Sequence, residues 1–328
     1  MRWVWLGAMV TVVLVAASLG RADGPASAEP PASLPPVSLL MVSNSPEKLR
    51  GFGLCYEAVL ADGKSARLLY HHVNATSGPA RLAVELWNLG QHPARVRLTA
   101  GLGGPSRDEL GVGHQAAADY LRKVMRNAGT TVSLPPETIV TAFSQVMPRG
   151  SVASGVAELR PVGPAKISVR VLLGPTGPSP GPRPVGSYTP SPLLGRYQYP
   201  APQRELKARY DVGGNWAFVA IGDQPAVGLK DGDRLQGSYG VVHEVTLELA
   251  NPTREPAAAL LALQSGGGPA RGCLLVDGRQ TETPVLREGD EAALAKYHLA
   301  PGETRVVSIA IMPEAGSNYP VRLVAHTW

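Results

Sequence analysis

Cysteine is nearly absent, with two in 328 residues. That excludes a small fold stapled by disulfides, and the lack of any C-x-x-C pair excludes a zinc knuckle. Aromatic residues make up only 5% of the chain and charged residues 17%. No run of Lys or Arg is long enough to track a phosphate backbone, so a nucleic-acid partner is not expected. The formal charge of +5 allows only a mild, unspecific attraction to an anionic surface. The common catalytic motifs are missing too: there is no G-x-S-x-G elbow, P-loop, H-E-x-x-H or dinucleotide-binding glycine pattern. No two carboxylates have a spacing that marks them as acid and base, although such a pair can be assembled from distant residues. What the chain does have is 37 Gly and 31 Pro, which argue against an all-helical fold, and 44% hydrophobic residues, enough for packed cores. The length suits two domains.

Residues 1–22 read as a secretory signal peptide. Arg2 gives the positive start, Trp3 to Leu19 the apolar stretch, and Gly20 and Ala22 the small residues before a cleavage point at Asp23. The competing reading is a retained anchor, but the apolar run is shorter than the roughly 20 residues of a membrane span. No other stretch is long and apolar enough to span, so a secreted or cell-envelope location is expected. Residues 23–36 are rich in Pro, Ala and Ser and read as an extended tether.

The mature chain contains an internal repeat. Residues 82–105 align with 245–269, matching Asn88 with Asn251 and Pro93 with Pro256. In the same order, Leu134 to Thr138 resembles Leu299 to Thr304, and Met147-Pro148 resembles Met312-Pro313. Both copies alternate with period two: Leu82, Val84 and Leu86 share one face, as do Val245, Leu247 and Leu249, which is the pattern of half-buried strands. Turn residues punctuate these runs. The expectation is an all-β chain of two tandem antiparallel sandwiches at 37–173 and 207–328. A Pro/Gly-rich spacer at 174–206 separates them, and its Tyr188, Tyr197 and Tyr199 either pack it onto a domain or form a docking segment.

Val245 to Pro252 and Leu299 to Val307 carry a resemblance to the bacterial immunoglobulin-like β-sandwich modules of uncharacterised secreted proteins. The resemblance covers about half of each copy. It implies a sandwich with an adhesive or accessory role, and its partners would be a cell-wall polymer, a polysaccharide or an envelope protein. It implies no catalytic activity and no cofactor.

Chemistry is most expected where the first copy has something the second lacks. One such feature is an insertion whose residues Ala117, Tyr120, Leu121, Val124 and Met125 form a single apolar stripe, giving a helix over 114–127. Ser106 to Glu109 fits a capping box, while Gly111 and Gly113 argue against one continuous helix. The stripe needs a cover, and Trp87 on the opposite strand face is the expected one. Alternatively, Trp87 is a platform for stacking a sugar. The second feature is histidine. Chain direction brings the end of the His71/His72 strand towards the start of the insertion, so His71 or His72, Asn74, Ser106, Asp108 and His114 form a candidate rim. His72 (or His71), Asp108 and His114 would be its metal ligands, and the chain would then be an extracellular metal-binding protein or metal-dependent enzyme. Otherwise these groups simply hold loops by hydrogen bonds. Asn74 to Thr76 also fits a glycosylation acceptor. Cys55 and Cys273 are expected to be separate buried thiols, with an interdomain disulfide as the alternative.

Overall fold

The computed structural model describes residues 33–60, 63–178, 181–184 and 194–328. The signal segment at 1–22, most of the tether and part of the spacer, including Tyr188, lie outside the described residues.

The first half contains β1 (Leu39–Ser43), β2 (Gly53–Leu60), β3 (Ala66–Asn74), β4 (Ala80–Asn88) and β5 (Ala94–Ser106). These are followed by helix α1 (Glu109–Met125), then β6 (Thr130–Leu134), β7 (Thr138–Met147), β8 (Val152–Pro161) and β9 (Ile167–Gly174). One sheet has the order β1-β3-β8-β5-β6 and the other β7-β4-β9-β2. The second half contains β10 (Gln203–Asp211), β11 (Ala217–Ile221), β12 (Val242–Ala250), β13 (Ala257–Ser265), β14 (Cys273–Val276), β15 (Arg279–Glu282), β16 (Glu291–Leu299), β17 (Thr304–Ile311) and β18 (Val321–Thr327). Its sheets run β10-β12-β17-β14-β15 and β11-β18-β13-β16. Apart from the spacer segments Gln198–Pro200, which pairs with β1, and Arg183–Pro184, which pairs with β7, the second pair of sheets repeats the order of the first.

The sheets are not purely antiparallel. β1 runs parallel to β3, and β10 parallel to β12. In each half the chain crosses to the other sheet, as β2 or β11, before it returns, so the strand that returns has the direction of the first. β10 also begins at Gln203, a few residues before the boundary expected at 207.

Strand order pairs the two halves in a different register from the sequence alignment. β3 and β12 occupy the same place, so Asn74, not Asn88, is the counterpart of Asn251. The hydrogen bonds agree. The Asn74 amide donates to Gly78 O at 3.0 Å and Met147 O at 2.8 Å, and its oxygen accepts from the Thr76 N–H and hydroxyl. Asn251 donates to Glu255 O, Leu299 O and Ala300 O and accepts from the Thr253 N–H and hydroxyl. Asn88 makes a third corner of the same kind, to His92 O, Leu134 O and Pro135 O. All three asparagines precede a proline by five positions, and this recurrence is what shifts a sequence alignment by one hairpin.

Each sandwich has its own core. Leu68, Tyr70, Leu82, Val84, Leu86, Val96, Val169 and Val171 fill the first, and Val245, Leu247, Leu249, Leu261, Ile309 and Leu323 the second. A third core lies between the halves. Leu40, Val42, Leu69 and Val156 of the first half meet Val242, Leu275, Ala310 and Met312 of the second, and Ala117, Tyr120 and Leu121 of α1 fill the same space. Each fully buried Leu or Val there contributes about 1.5–3 kcal/mol. This is why β3 is buried along its whole length on both faces. Arg67, 1% exposed, crosses the junction and donates to Gly240 O at 3.1 Å. Tyr199 of the spacer packs into this third core, so at that position the spacer is docked.

Candidate functional site

The helix of the insertion begins earlier than its apolar stripe indicates. Asp108 is its N-cap, with Oδ1 accepting from Gly111 N at 2.9 Å, and Ser106 Oγ accepts from Asp108 N at 3.2 Å. Gly111 and Gly113 lie inside the helix. Gly113 is required by a close approach: a Cβ there would sit 1.6 Å from Ala315 O of the second half. Gly103 of β5 plays the matching part on the other side, where a Cβ would sit 1.9 Å from Val112 O. The helix is thus seated backbone-close between the two halves.

It does not cover Trp87. α1 packs on β5 and β8 of the first sheet, whereas Trp87 lies on β4 of the other sheet, opposite Ser168 and Ile139. Spacer residues meet that sheet: Arg183–Pro184 pairs with the edge of β7, and side chains of its outer face reach the spacer. Arg81 donates to Thr176 O and Gly177 O, and Arg183 pairs with Glu85 at 2.5 Å.

Between α1 and the second half lies an open cleft of about 710 Å³ lined by Ser106, Asp108, His114, Gln115, Asp119, Arg122, Arg271 and Glu282, among others. Ser106, Asp108 and His114 of the expected rim are therefore brought together. Arg271 and Glu282 come from the second half, and a third residue from that half, Glu314, holds His114 from behind. None of the three was foreseen. Glu314 carried the one available signal, since it is the only charge between Ile309 and Ser317, and a carboxylate in such a run must find a donor once buried.

His114 is clamped. Nε2 lies 2.9 Å from Glu282 Oε2 and Nδ1 lies 3.0 Å from Glu314 Oε2. The other Glu314 oxygen accepts from Cys273 N, and the Glu314 side chain is fully buried. Burial alone would lower the pKa of His114, and Arg271 opposes the charge as well. The two carboxylates outweigh both, and the pKa lies above the ordinary histidine value. Its charge in turn holds the pKa of Glu282 below the usual carboxylate range, against the effect of burial. When protonated, an imidazole with a carboxylate on each nitrogen donates from both and keeps no lone pair for a metal or for a substrate proton.

The other candidates lie elsewhere. Val73 meets Val112 and Val152, so the end of β3 does reach the start of α1. The histidines before it, however, turn away from the cleft. His72 is fully buried, with Nε2 2.8 Å from Ser43 Oγ and Nδ1 3.1 Å from Pro46 O. His71 is buried on the opposite face of the strand, and burial pushes both histidines down to about 4. Asn74, fully buried, is the corner residue described above, so its amide is engaged rather than presented for glycosylation. The expected trio of His72, Asp108 and His114 is not assembled. Among the described residues no group of three or more His, Cys, Asp or Glu side chains is placed to hold a metal ion. Cys55 and Cys273 are free, buried thiols. Burial pushes Cys55 up to about 11 and Cys273 higher still.

The chain matches no family model and no curated protein. Among solved structures it aligns with Lac15 from a marine microbial metagenome at 14% identity and a TM-score of 0.16, covering 82% of this chain and 53% of the other, so it spans about half of that protein's length. It aligns with the CBM22-1–CBM22-2 tandem domain of Paenibacillus barcinonensis Xyn10C at 12% identity and a TM-score of 0.16, covering 79% and 75%. A cupin 2 conserved barrel domain protein from Leptotrichia buccalis gives 10% identity and a TM-score of 0.14, covering 82% and 81%. TM-scores this low leave the fold and function of the chain to be argued from its own residues. No helix among the described residues is long and apolar enough to cross a membrane.

Proposed function

We propose that the chain is a secreted, non-catalytic binding or scaffold protein of the cell envelope. In this reading it is built from two copies of one immunoglobulin-like sandwich, and the cleft beside α1 is its recognition site. The N-terminal 22 residues support export. The shared strand order and the matching Asn74 and Asn251 corners support the duplication. The single observation that carries the binding role is the state of His114: the cleft's histidine has both nitrogens taken by carboxylates, which makes it a strut joining the halves instead of a proton carrier.

The free valences of the cleft are mostly donors. Asp108, Asp119 and Glu282 each already accept from a protein donor. The oxygen of Gln115 accepts from Gly104 N, which leaves its NH₂ pointing away. Arg271 uses Nε on Thr283 O, and its terminal nitrogens have no partner among the described residues. A ligand rich in oxygen acceptors fits such a lining. Cell-wall fractions, exopolysaccharides and envelope proteins passed over the immobilised protein test this reading. It expects retention of one of them, reduced by Arg271→Ala and by Arg122→Ala. Retention of none counts against it.

A further inference from the structure

The outer face of the β11-β18-β13-β16 sheet carries exposed aromatic rings in a chain poor in them. Trp216, Phe218 and Trp328 are 51%, 53% and 62% exposed. They belong to one surface. Trp216 stands beside His326, with ring centroids 4.3 Å apart and planes at 18°, and Phe218 lies 6.1 Å from Trp216. Phe218 faces Val324 across the strand pair, and Trp328 is tied to the next strand through its N–H to Ala258 O. Beneath the rings, Val324, Ala262 and Leu260 form a buried apolar floor. The rings are also held in place: His326 Nε2 is 2.9 Å from Glu291 Oε1, and the Lys296 ammonium sits 4.0 Å from the Trp328 ring centre.

On the first half, side chains of the same face are engaged by the chain's own spacer, Arg81 by Thr176 O and Gly177 O and Glu85 by Arg183. Here no described residue covers it, and leaving three large rings in water forgoes a stabilisation that most surfaces collect. The charges on the face choose among occupants. Its carboxylate, Glu291, is spent on His326, while Lys296 and Arg322 are exposed and have no acidic partner among the described residues. At its margin the face continues into a shallow groove of about 530 Å³ lined by Ala258, His298 and Glu303, and Glu303 there is already engaged by Ala300 N. Flat rings with unneutralised cations suit a chain of pyranose rings that bear carboxylates, because the apolar faces of the sugars stack on the indoles while the acid groups meet the cations.

We propose that this face of the second sandwich is a docking surface for an acidic, uronate-bearing polysaccharide. It is separate from the cleft beside α1. The test is affinity electrophoresis of the whole secreted chain in gels containing polygalacturonate or neutral dextran. Polygalacturonate is expected to retard the protein more than dextran does, and Trp216→Ala and Trp328→Ala are each expected to weaken that retardation about tenfold. Arg322→Glu, a change at an exposed residue of the same face that is not one of the contacts holding the rings, is expected to erase the preference for the acidic polymer. Absence of retardation by polygalacturonate, or retardation unchanged in all three variants, overturns the proposal. So does flotation of the protein with phosphatidylcholine–phosphatidylglycerol vesicles while polygalacturonate leaves it free. Envelope material retained equally by wild type and by Trp216→Ala would overturn this surface and leave the cleft reading standing.

Discussion

Acid should unfold this protein through three histidines that the fold buries neutral. His71, His72 and His243 are each pushed down to about 4 by burial, whereas in the unfolded chain each returns to about 6.5. The sign follows directly: between those values the unfolded state binds more protons, so stability is full above about pH 6.5 and falls as pH drops towards 4. At pH 5 an unfolded histidine is almost fully protonated and a folded one only about a tenth so, which costs about 2 kcal/mol per residue and about 6 kcal/mol for the three. A domain of ordinary stability has only 5–15 kcal/mol in total. His114 acts in a different window. Its raised pKa adds stability that is complete below about 6.5 and is lost as pH rises through the folded value. Urea unfolding at pH 7.5, 6 and 5 measures the slope. His243→Leu isolates one contributor, chosen because the His243 ring is buried and burial is the main cause of its lowered pKa. The variant is expected to be at least as stable as wild type at pH 7.5 and to lose about 2 kcal/mol less on going to pH 5. A variant whose stability falls with acid as steeply as wild type would refute the reasoning.

Three further perturbations test the architecture. Gly113→Ala forces a methyl against Ala315 O, and its urea midpoint should fall by the equivalent of about 2–4 kcal/mol, against less than about 1 kcal/mol for an alanine at exposed Gly51, where a methyl meets nothing. Asn74→Ala and Asn251→Ala each strip several hydrogen bonds from the same kind of corner, so both should lose about 2 kcal/mol in chemical denaturation, and by similar amounts. Cys55 and Cys273 should fail to react with a thiol reagent at neutral pH until denaturant is added, and mass analysis should show both free.

Features that depend on nearby residues were legible in the sequence. The alternation at Leu82, Val84 and Leu86 fixes their face because a strand's period is two, and all three lie in the first core. The stripe from Ala117 to Met125 was equally plain, and each of its members packs in the third core. What failed depends on contacts distant in the chain. Gly111 and Gly113 read as helix breakers because the loop that demands Gly113, at Ala315, lies about two hundred residues later. The cover for the helix stripe was assigned to Trp87 because the sequence alone does not reveal that the two halves share a core. The same limit hid Glu282 and Glu314 from any sequence-based view of His114. The two halves align in sequence, but that alignment falls one hairpin out of step with the strand order because the same Asn corner occurs twice in the first half, at Asn74 and Asn88.

Nitrogen-15 NMR of the His114 ring tests the binding reading most directly. The midpoint of titration is expected above the ordinary histidine value, and below that midpoint both ring nitrogens are expected to carry protons and to show the shifts of an imidazolium bonded to carboxylates. A midpoint at or below the ordinary histidine value would contradict the clamp and return His114 to the list of groups able to move a proton.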